Sequence, residues 1–363
     1  MRLRPYHLAL LMTVALPLAA CGANDPADGS KGGASAPAAA KITAAPGLFT
    51  HDQIEQAMPN TQATTVPPAT LAPPSPNGQP AATPPDAAMI RLQILLDRSS
   101  FSPGVIDGLH GENVRQAIAA YREARGLGAG DAVDAALIQS LATADAQPVT
   151  TEYTLTQADV SGPFSPPPAG EDLSAQAAQG TNFTTARERI AERFHMSEAL
   201  LQALNPSVDF ARAGVAILIP ALIDRPLPQV ARIEVDKAEK AVKAYDAAGT
   251  LVAFYPATIG SGDNRSPSGN LTVVGVAPEP DYLYDPSRLT FGKGKERVTV
   301  PAGPNNPVGT VWLDLSRDTY GIHGTPDPSR IGKTASHGCV RLTNWDAEQL
   351  AAAVRPGVEV RFA

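Results

Sequence analysis

The sequence predicts a multidomain chain with a mainly-β C-terminal domain over residues 229–363. A small α-helical domain (89–145) and a divergent βααβ domain (152–222) precede it. Three observations predict this. The 35 prolines cluster into breaks around 67–76, 162–170 and 225–228, and such stretches cannot hold a packed core. Apolar residues repeat at helical spacing before the second break. After the third, short runs of β-branched and apolar residues alternate with Gly, Asp, Asn and Pro. With 363 residues, 43% of them hydrophobic, the chain is long enough for two or three cores, and a net charge of −7 gives no electrostatic reason to expect nucleic acid.

In chain order, residues 1–21 read as an export signal. Arg2 and Arg4 give a positive start, and Leu8 to Ala20 form an apolar run, shorter than the about 20 residues that span a bilayer. The ending Leu18-Ala19-Ala20-Cys21 resembles a bacterial lipobox. The resemblance implies that Cys21 is lipidated as the first residue of the mature protein. Gly22 in place of Asp implies anchoring to the outer membrane from the periplasmic side; an ordinary cleaved signal is the alternative. Residues 22–88, rich in Pro and Ala, read as a disordered tether with a reach of roughly 200 Å in extended polyproline II. The patch Leu48 to Ile54 is a short local element with no role assigned.

In 89–145, Leu92, Leu95 and Leu96 share one helix face and Val114, Ala117, Ile118 and Tyr121 another, with Val105-Ile106-Asp107-Gly108 as the turn between them. This layout resembles the peptidoglycan-binding type 1 domain, a three-helix unit. Tyr121 and His110 are read as packing or surface residues before they are read as a saccharide surface. In 152–222, Thr185 and Glu188 have capping-box spacing, and Ile190 with Phe194 gives the helix an apolar ridge. With Leu200 to Pro206 and Gly214 to Pro220, this segment resembles a LysM module, in which two strands flank two helices and bind glycan. A Pro-rich insertion after Tyr153-Thr154-Leu155 departs from that pattern, so glycan binding and a spacer role both stand.

In 229–363, strands are expected at Ile233–Val235, Ala241–Tyr245, Leu251–Thr258 and Leu271–Val276. Thr343, with Asp346 three residues on, caps one helix; Pro356-Gly357 stops it before a closing strand at Val358–Phe362. Such a framework presents its active residues on loops held by strands.

The chain has two cysteines. If Cys21 is consumed by the signal, Cys339 has no partner for a disulfide, and an exported chain keeps a lone thiol for reactivity more often than for packing. Cys339 ends Ser336-His337-Gly338-Cys339, downstream of Gly321-Ile322-His323-Gly324-Thr325. A free thiol is only a few per cent thiolate at neutral pH, so it needs a base. An imidazole in reach takes the proton, holds the thiolate as an ion pair and later returns a proton to a leaving amine. A backbone carbonyl can fix its tautomer. Gly338 permits a tight turn in which backbone N–H groups approach an oxyanion.

These residues, with Ser266-Pro267-Ser268-Gly269, Val300 to Gly309 and Val340-Arg341-Leu342, resemble the L,D-transpeptidase (YkuD) family. The resemblance implies a mainly-β catalytic domain with Cys339 as nucleophile and His323 as general base. Gly324 would orient His323, and the backbone at His337, Gly338 and Cys339 would form the oxyanion hole. Arg341 and Ser336 would contact substrate. Spacing alone leaves His337 open as the base. Zinc held by His323, His337 and Cys339 is the competing chemistry, but no second Cys or paired Glu stands at ligand spacing, so neither metal nor cofactor is expected.

The activity implied is acyl transfer on peptidoglycan. Cys339 forms a thioester with a stem tetrapeptide, D-Ala leaves, and an amine accepts the acyl group, giving a cross-link or attaching an outer-membrane protein to the wall. Partners are then stem peptides, glycan strands and, through Cys21, a membrane, and the location is the periplasm. A carboxypeptidase or endopeptidase of the same fold, and a non-catalytic tether between outer membrane and wall, are the alternatives.

Overall fold

The computed structural model describes residues 47–59, 83–166, 172–260, 266–288, 296–336 and 338–363. Four helices come first: α1 (His51–Gln56), α2 (Ala87–Arg98), α3 (Glu112–Ala124) and α4 (Ala135–Ala144). Then β1 (Thr150–Thr154) pairs antiparallel with β2 (Ala216–Pro220), and between them lie α5 (Gln157–Val160), α6 (Leu173–Gln179), α7 (Ala186–Arg193) and α8 (Glu198–Leu204). Where two helices were expected between the flanking strands, the described residues hold four, with α5 and α6 both in the stretch before Thr185.

These helices and strands do not carry separate cores. One apolar cluster runs from Ile54 through Leu92, Leu96, Ile118 and Tyr121 to Ile190, Leu201, Ile217 and Ile219. Ile54 belongs to it because Thr50 caps α1 in a reciprocal capping box with Gln53, and the Glu55 carboxylate accepts from the Thr150 backbone 2.9 Å away. The tether expected over 22–88 is thus corrected at residues 51–56, which dock as a helix. Tyr121 is fully buried, its hydroxyl 3.0 Å from Ser140, so it packs rather than lining a surface.

The C-terminal part is an eight-stranded sheet: β3 (Arg232–Asp236), β4 (Ala241–Tyr245), β5 (Leu251–Pro256), β6 (Gly269–Pro278), β9 (Val311–Leu315), β10 (Gly321–His323), β11 (Val340–Arg341) and β12 (Glu359–Phe362). Their order is β11-β10-β9-β6-β12-β3-β4-β5. A separate hairpin pairs β7 (Tyr282–Tyr284) with β8 (Val298–Val300). One helix, α9 (Asn344–Ala353), packs Ala347 and Leu350 on the buried Leu313, Ile322 and Val340 of the sheet. The Thr343 hydroxyl accepts from the Asp346 N–H, the cap expected from the sequence.

The free edge of β5 is covered by the helical segment. Phe254 N–H donates to Ser100 O at 3.0 Å and Ser102 N–H to Phe254 O at 2.9 Å, so the edge is paired. Phe254 is buried in the first core, not the second. The described residues accordingly form part of one compact unit.

Candidate active site

The site is built by β9, β10 and β11. β10 pairs antiparallel with β9 and parallel with β11, with His323 opposite both Trp312 and Arg341. Because side chains alternate along a strand, Leu313, Ile322 and Val340 point at α9, while Trp312, His323 and Arg341 share the other face. Cys339 directly precedes β11 and falls in line with Gly321. Strands about 4.8 Å apart, with an advance of about 6.6 Å over two residues, make Cys339 and His323 diagonal neighbours on one face.

Trp312 stacks on His323, ring centroids 5.3 Å apart and 19° from parallel. Gly321 makes room for it, since a Cβ there would meet the indole Cζ2 at 2.4 Å. His323 is 3% exposed, and its Nδ1 lies 2.7 Å from the Gly324 carbonyl. A carbonyl can only accept, so Nδ1 carries the proton and Nε2 keeps its lone pair. Burial, reinforced by the Arg341 charge, pushes the imidazole down to about 3, against the carbonyls of Gly324 and Val308.

The Cys339 thiol points its sulfur at Thr319 O, 3.6 Å away. Burial raises its pKa above the ordinary thiol value, opposed by a backbone hydrogen bond from Gly321 and by Arg341. Burial thus acts on both groups in the same sense, favouring the neutral thiol and the neutral imidazole. Desolvation penalises both charged forms and so works against the ion pair expected from sequence. Tyr282 of β7 lies close enough to feel the same sulfur: burial first, then Cys339 and Tyr284, push its phenol up to about 12.

Before Cys339 the chain is held by hydroxyls. Ser336 Oγ donates to Cys339 O at 2.5 Å and accepts from Gly338 N–H at 3.2 Å. Ser266 Oγ donates to Gly338 O at 2.7 Å and accepts from Gly260 N–H at 3.0 Å. Gly338 sits at φ 121, a conformation that favours glycine. Two expectations change. Ser336, expected to contact substrate, is buried and spends its hydroxyl on the turn. The Gly338 N–H, expected in an oxyanion hole, is engaged by Ser336. Both follow from the tight turn, whose polar groups need internal partners. His337 and Cys21 lie outside the described residues. Arg341 pairs its main chain with Thr258, N–H to O 2.9 Å in both directions, while its side chain stays near enough to influence both His323 and Cys339.

Sequence reasoning missed Trp312, Thr319, Tyr282 and Asn344. Trp312 alone had a legible signal, since it alternates with the buried Val311 and Leu313. Asn344 Oδ1 accepts from Thr325 N–H at 3.0 Å and Thr310 N–H at 3.2 Å, one in the peptide unit of the Gly324 carbonyl and the other two residues after Val308, the two carbonyls that act on the imidazole.

Fold and site together define a mainly-β domain with a buried, tautomer-fixed histidine on one strand and a cysteine at the head of the neighbouring strand of the same sheet. Residues 230–361 match the YkuD model, the L,D-transpeptidase catalytic domain. YkuD of Bacillus licheniformis, which bears an L,D-transpeptidase name, is 34% identical over 176 residues, 48% of this chain and 90% of its own. YkuD of Bacillus subtilis, similarly named, is 31% identical over 189 residues, 52% and 97% of the two chains. The chain belongs to the L,D-transpeptidase (YkuD) family. Among solved structures, the E. faecium L,D-transpeptidase catalytic domain acylated by ertapenem aligns with a TM-score of 0.31 at 18% identity, over 37% of this chain and 98% of that one.

Proposed function

We propose that this protein is a peptidoglycan L,D-transpeptidase in which Cys339 is the nucleophile and His323 the general base. The observation that carries the reading is the 2.7 Å bond from His323 Nδ1–H to Gly324 O, which leaves Nε2 unprotonated on the face that Cys339 shares. Because the resting pair is neutral, the thiol proton passes to Nε2 as the sulfur attacks the carbonyl of the third residue of a stem tetrapeptide. The Gly321 N–H and the Arg341 charge offset the negative charge on sulfur during the transfer. The tetrahedral centre collapses, the C–N bond to D-Ala breaks, and the imidazolium returns its proton to that amine. An acceptor amine then attacks the thioester with proton loss to the same ring, forming an amide and regenerating the thiol. Tyr282 supplies a wall of the site and Arg341 a cation for a substrate carboxylate.

The rest of the chain fits a wall-associated setting. Lipidation at Cys21 would anchor the protein in the periplasm at the outer membrane. The three-helix segment and the βααβ segment would hold it on glycan strands as peptidoglycan-binding and LysM-like modules. Incubation with a tetrapeptide muropeptide tests the activity. Cross-linked dimer with free D-Ala is the expected product; tripeptide alone would mean that water is the acceptor, and unchanged muropeptide would overturn the reading.

A further inference from the structure

Asn344 uses all of its side-chain hydrogen-bonding capacity. Besides the two N–H groups that its Oδ1 accepts, Nδ2 donates to Pro304 O at 3.2 Å and to Glu192 Oε1 at 2.5 Å. Asn344 is 3% exposed, and a buried amide with two acceptor and two donor bonds filled is held rigidly. Its partners bracket the base. Thr325 directly follows Gly324, and Thr310 lies two residues after Val308; the Gly324 and Val308 carbonyls both face the His323 ring. Gly309 and Gly324 are both small because of this amide: a Cβ on either would come within 2.1 Å of Asn344 Oδ1.

Glu192 comes from α7, outside the 230–361 stretch that matches the family model. Its helix makes a second contact with the same wall of the site, since Asn305 Nδ2 donates to Glu188 Oε1 at 2.9 Å, and Thr181, in the loop before the helix, accepts from Asn305 N–H at 2.9 Å. Two residues of one helix thus hold Asn305 and Asn344, both on the catalytic domain.

We propose that Asn344 is a positioning residue for His323 and that Glu192 completes it, making the βααβ segment a part of the transfer apparatus and not only a wall-binding appendage. Asn344 fixes the two backbone segments whose carbonyls set the imidazole tautomer, and Glu192 fixes the amide orientation by taking the Nδ2 proton that would otherwise rotate away. Burial, against the Asn344 hydrogen bond and with Glu188 and Glu348 nearby, pushes the Glu192 carboxyl up to about 8. A neutral amide at this position should therefore substitute for it.

The inference rests on the transfer chemistry proposed above, and the test separates the two. Full-length protein is treated with meropenem, and acylation is followed by intact mass to give a first-order constant at saturation and a half-saturating concentration. Glu192→Ala should lower the first-order constant about five- to tenfold, the worth of one buried hydrogen bond. The half-saturating concentration should stay within about twofold. Glu192→Gln, whose amide oxygen still accepts from Asn344, should stay within about twofold of wild type on both measures. Asn344→Ala should fall at least as far as Glu192→Ala. If it does not fold, as judged by circular dichroism, the Glu192 pair still decides. Equal rates for Glu192→Ala and wild type, or equal losses for the Ala and Gln variants, overturn the inference while leaving the activity intact. A wild type that takes no adduct overturns the activity and this inference with it.

Discussion

Alkylation of Cys339 by iodoacetamide reads the charge state of the free site, because only the thiolate reacts. His323 is pushed down to about 3 and the thiol is raised, in both cases chiefly by burial. No imidazolium is then present at neutral pH to hold a thiolate. Below the thiol pKa the thiolate fraction grows tenfold per pH unit, so the rate should climb about 100-fold from about pH 6 to about pH 8. The ordinary thiol value of about 8.5 lies above that window, and burial moves it further away. Peptide mapping distinguishes Cys339 from Cys21. His323→Ala should leave this slope unchanged, since a neutral ring contributes no charge, yet cut meropenem acylation by about 10²- to 10⁴-fold. A rate that is flat from about pH 5 to about pH 8, with a plateau that disappears in His323→Ala, would refute the neutral-pair reasoning and restore a preformed ion pair.

Three further outcomes are expected. Asp346 is pushed up to about 7 by burial and by Asp97, so as pH rises from the ordinary carboxylate range to about 7 the unfolded chain releases its proton first and native stability falls. Asp346→Asn should therefore match wild type near pH 4 and exceed it above about pH 7 by about 1–3 kcal/mol, measured from denaturant midpoints; a gain that is largest in acid would contradict the sign. Gly321→Ala should drive Trp312 off the imidazole and slow acylation about 10- to 100-fold while the thermal midpoint moves little; an unchanged rate would show that the stack is idle. Thr319 is a β-branched residue at φ 68, so Thr319→Gly should raise stability by about 0.5–1 kcal/mol, with urea unfolding as the check and a loss as the contrary result.

What could be read from the sequence was local. Strands at Ile233–Val235 and Ala241–Tyr245 are visible because each apolar run is complete within five residues, alternating in the first and nearly so in the second. The Thr343 cap is visible because its partner lies three residues on. At Thr185 the same signature is half right: the hydroxyl accepts from Glu188 N–H at 3.1 Å, but the Glu188 carboxylate bonds Thr184 and Asn305 instead of closing the box. That carboxylate is claimed by a loop 117 residues away, which no local pattern contains. The docking of Ile54 and the pairing of Phe254 with Ser100 and Ser102 were illegible for the same reason. They join segments that look independent because Pro-rich stretches separate them. In the site, Cys339, His323 and Gly324 were legible as a motif. The charge state of the pair was not, since desolvation is a property of the folded surroundings. The tight turn at Gly338 was legible, but the spending of the Ser336 hydroxyl and the Gly338 N–H inside it was not, because a turn's internal hydrogen bonds depend on φ and ψ, which the residue names only suggest.

In the proposed reaction Cys339 takes up an acyl group from a wall peptide with His323 as its base. The most direct measurement is acid-quenched mass spectrometry of the protein mixed with a tetrapeptide stem, followed by peptide mapping. The account predicts an adduct on Cys339 equal to the tetrapeptide less D-Ala, in wild type and far more slowly in His323→Ala. An adduct on another residue, or one that forms at the wild-type rate without His323, would contradict it.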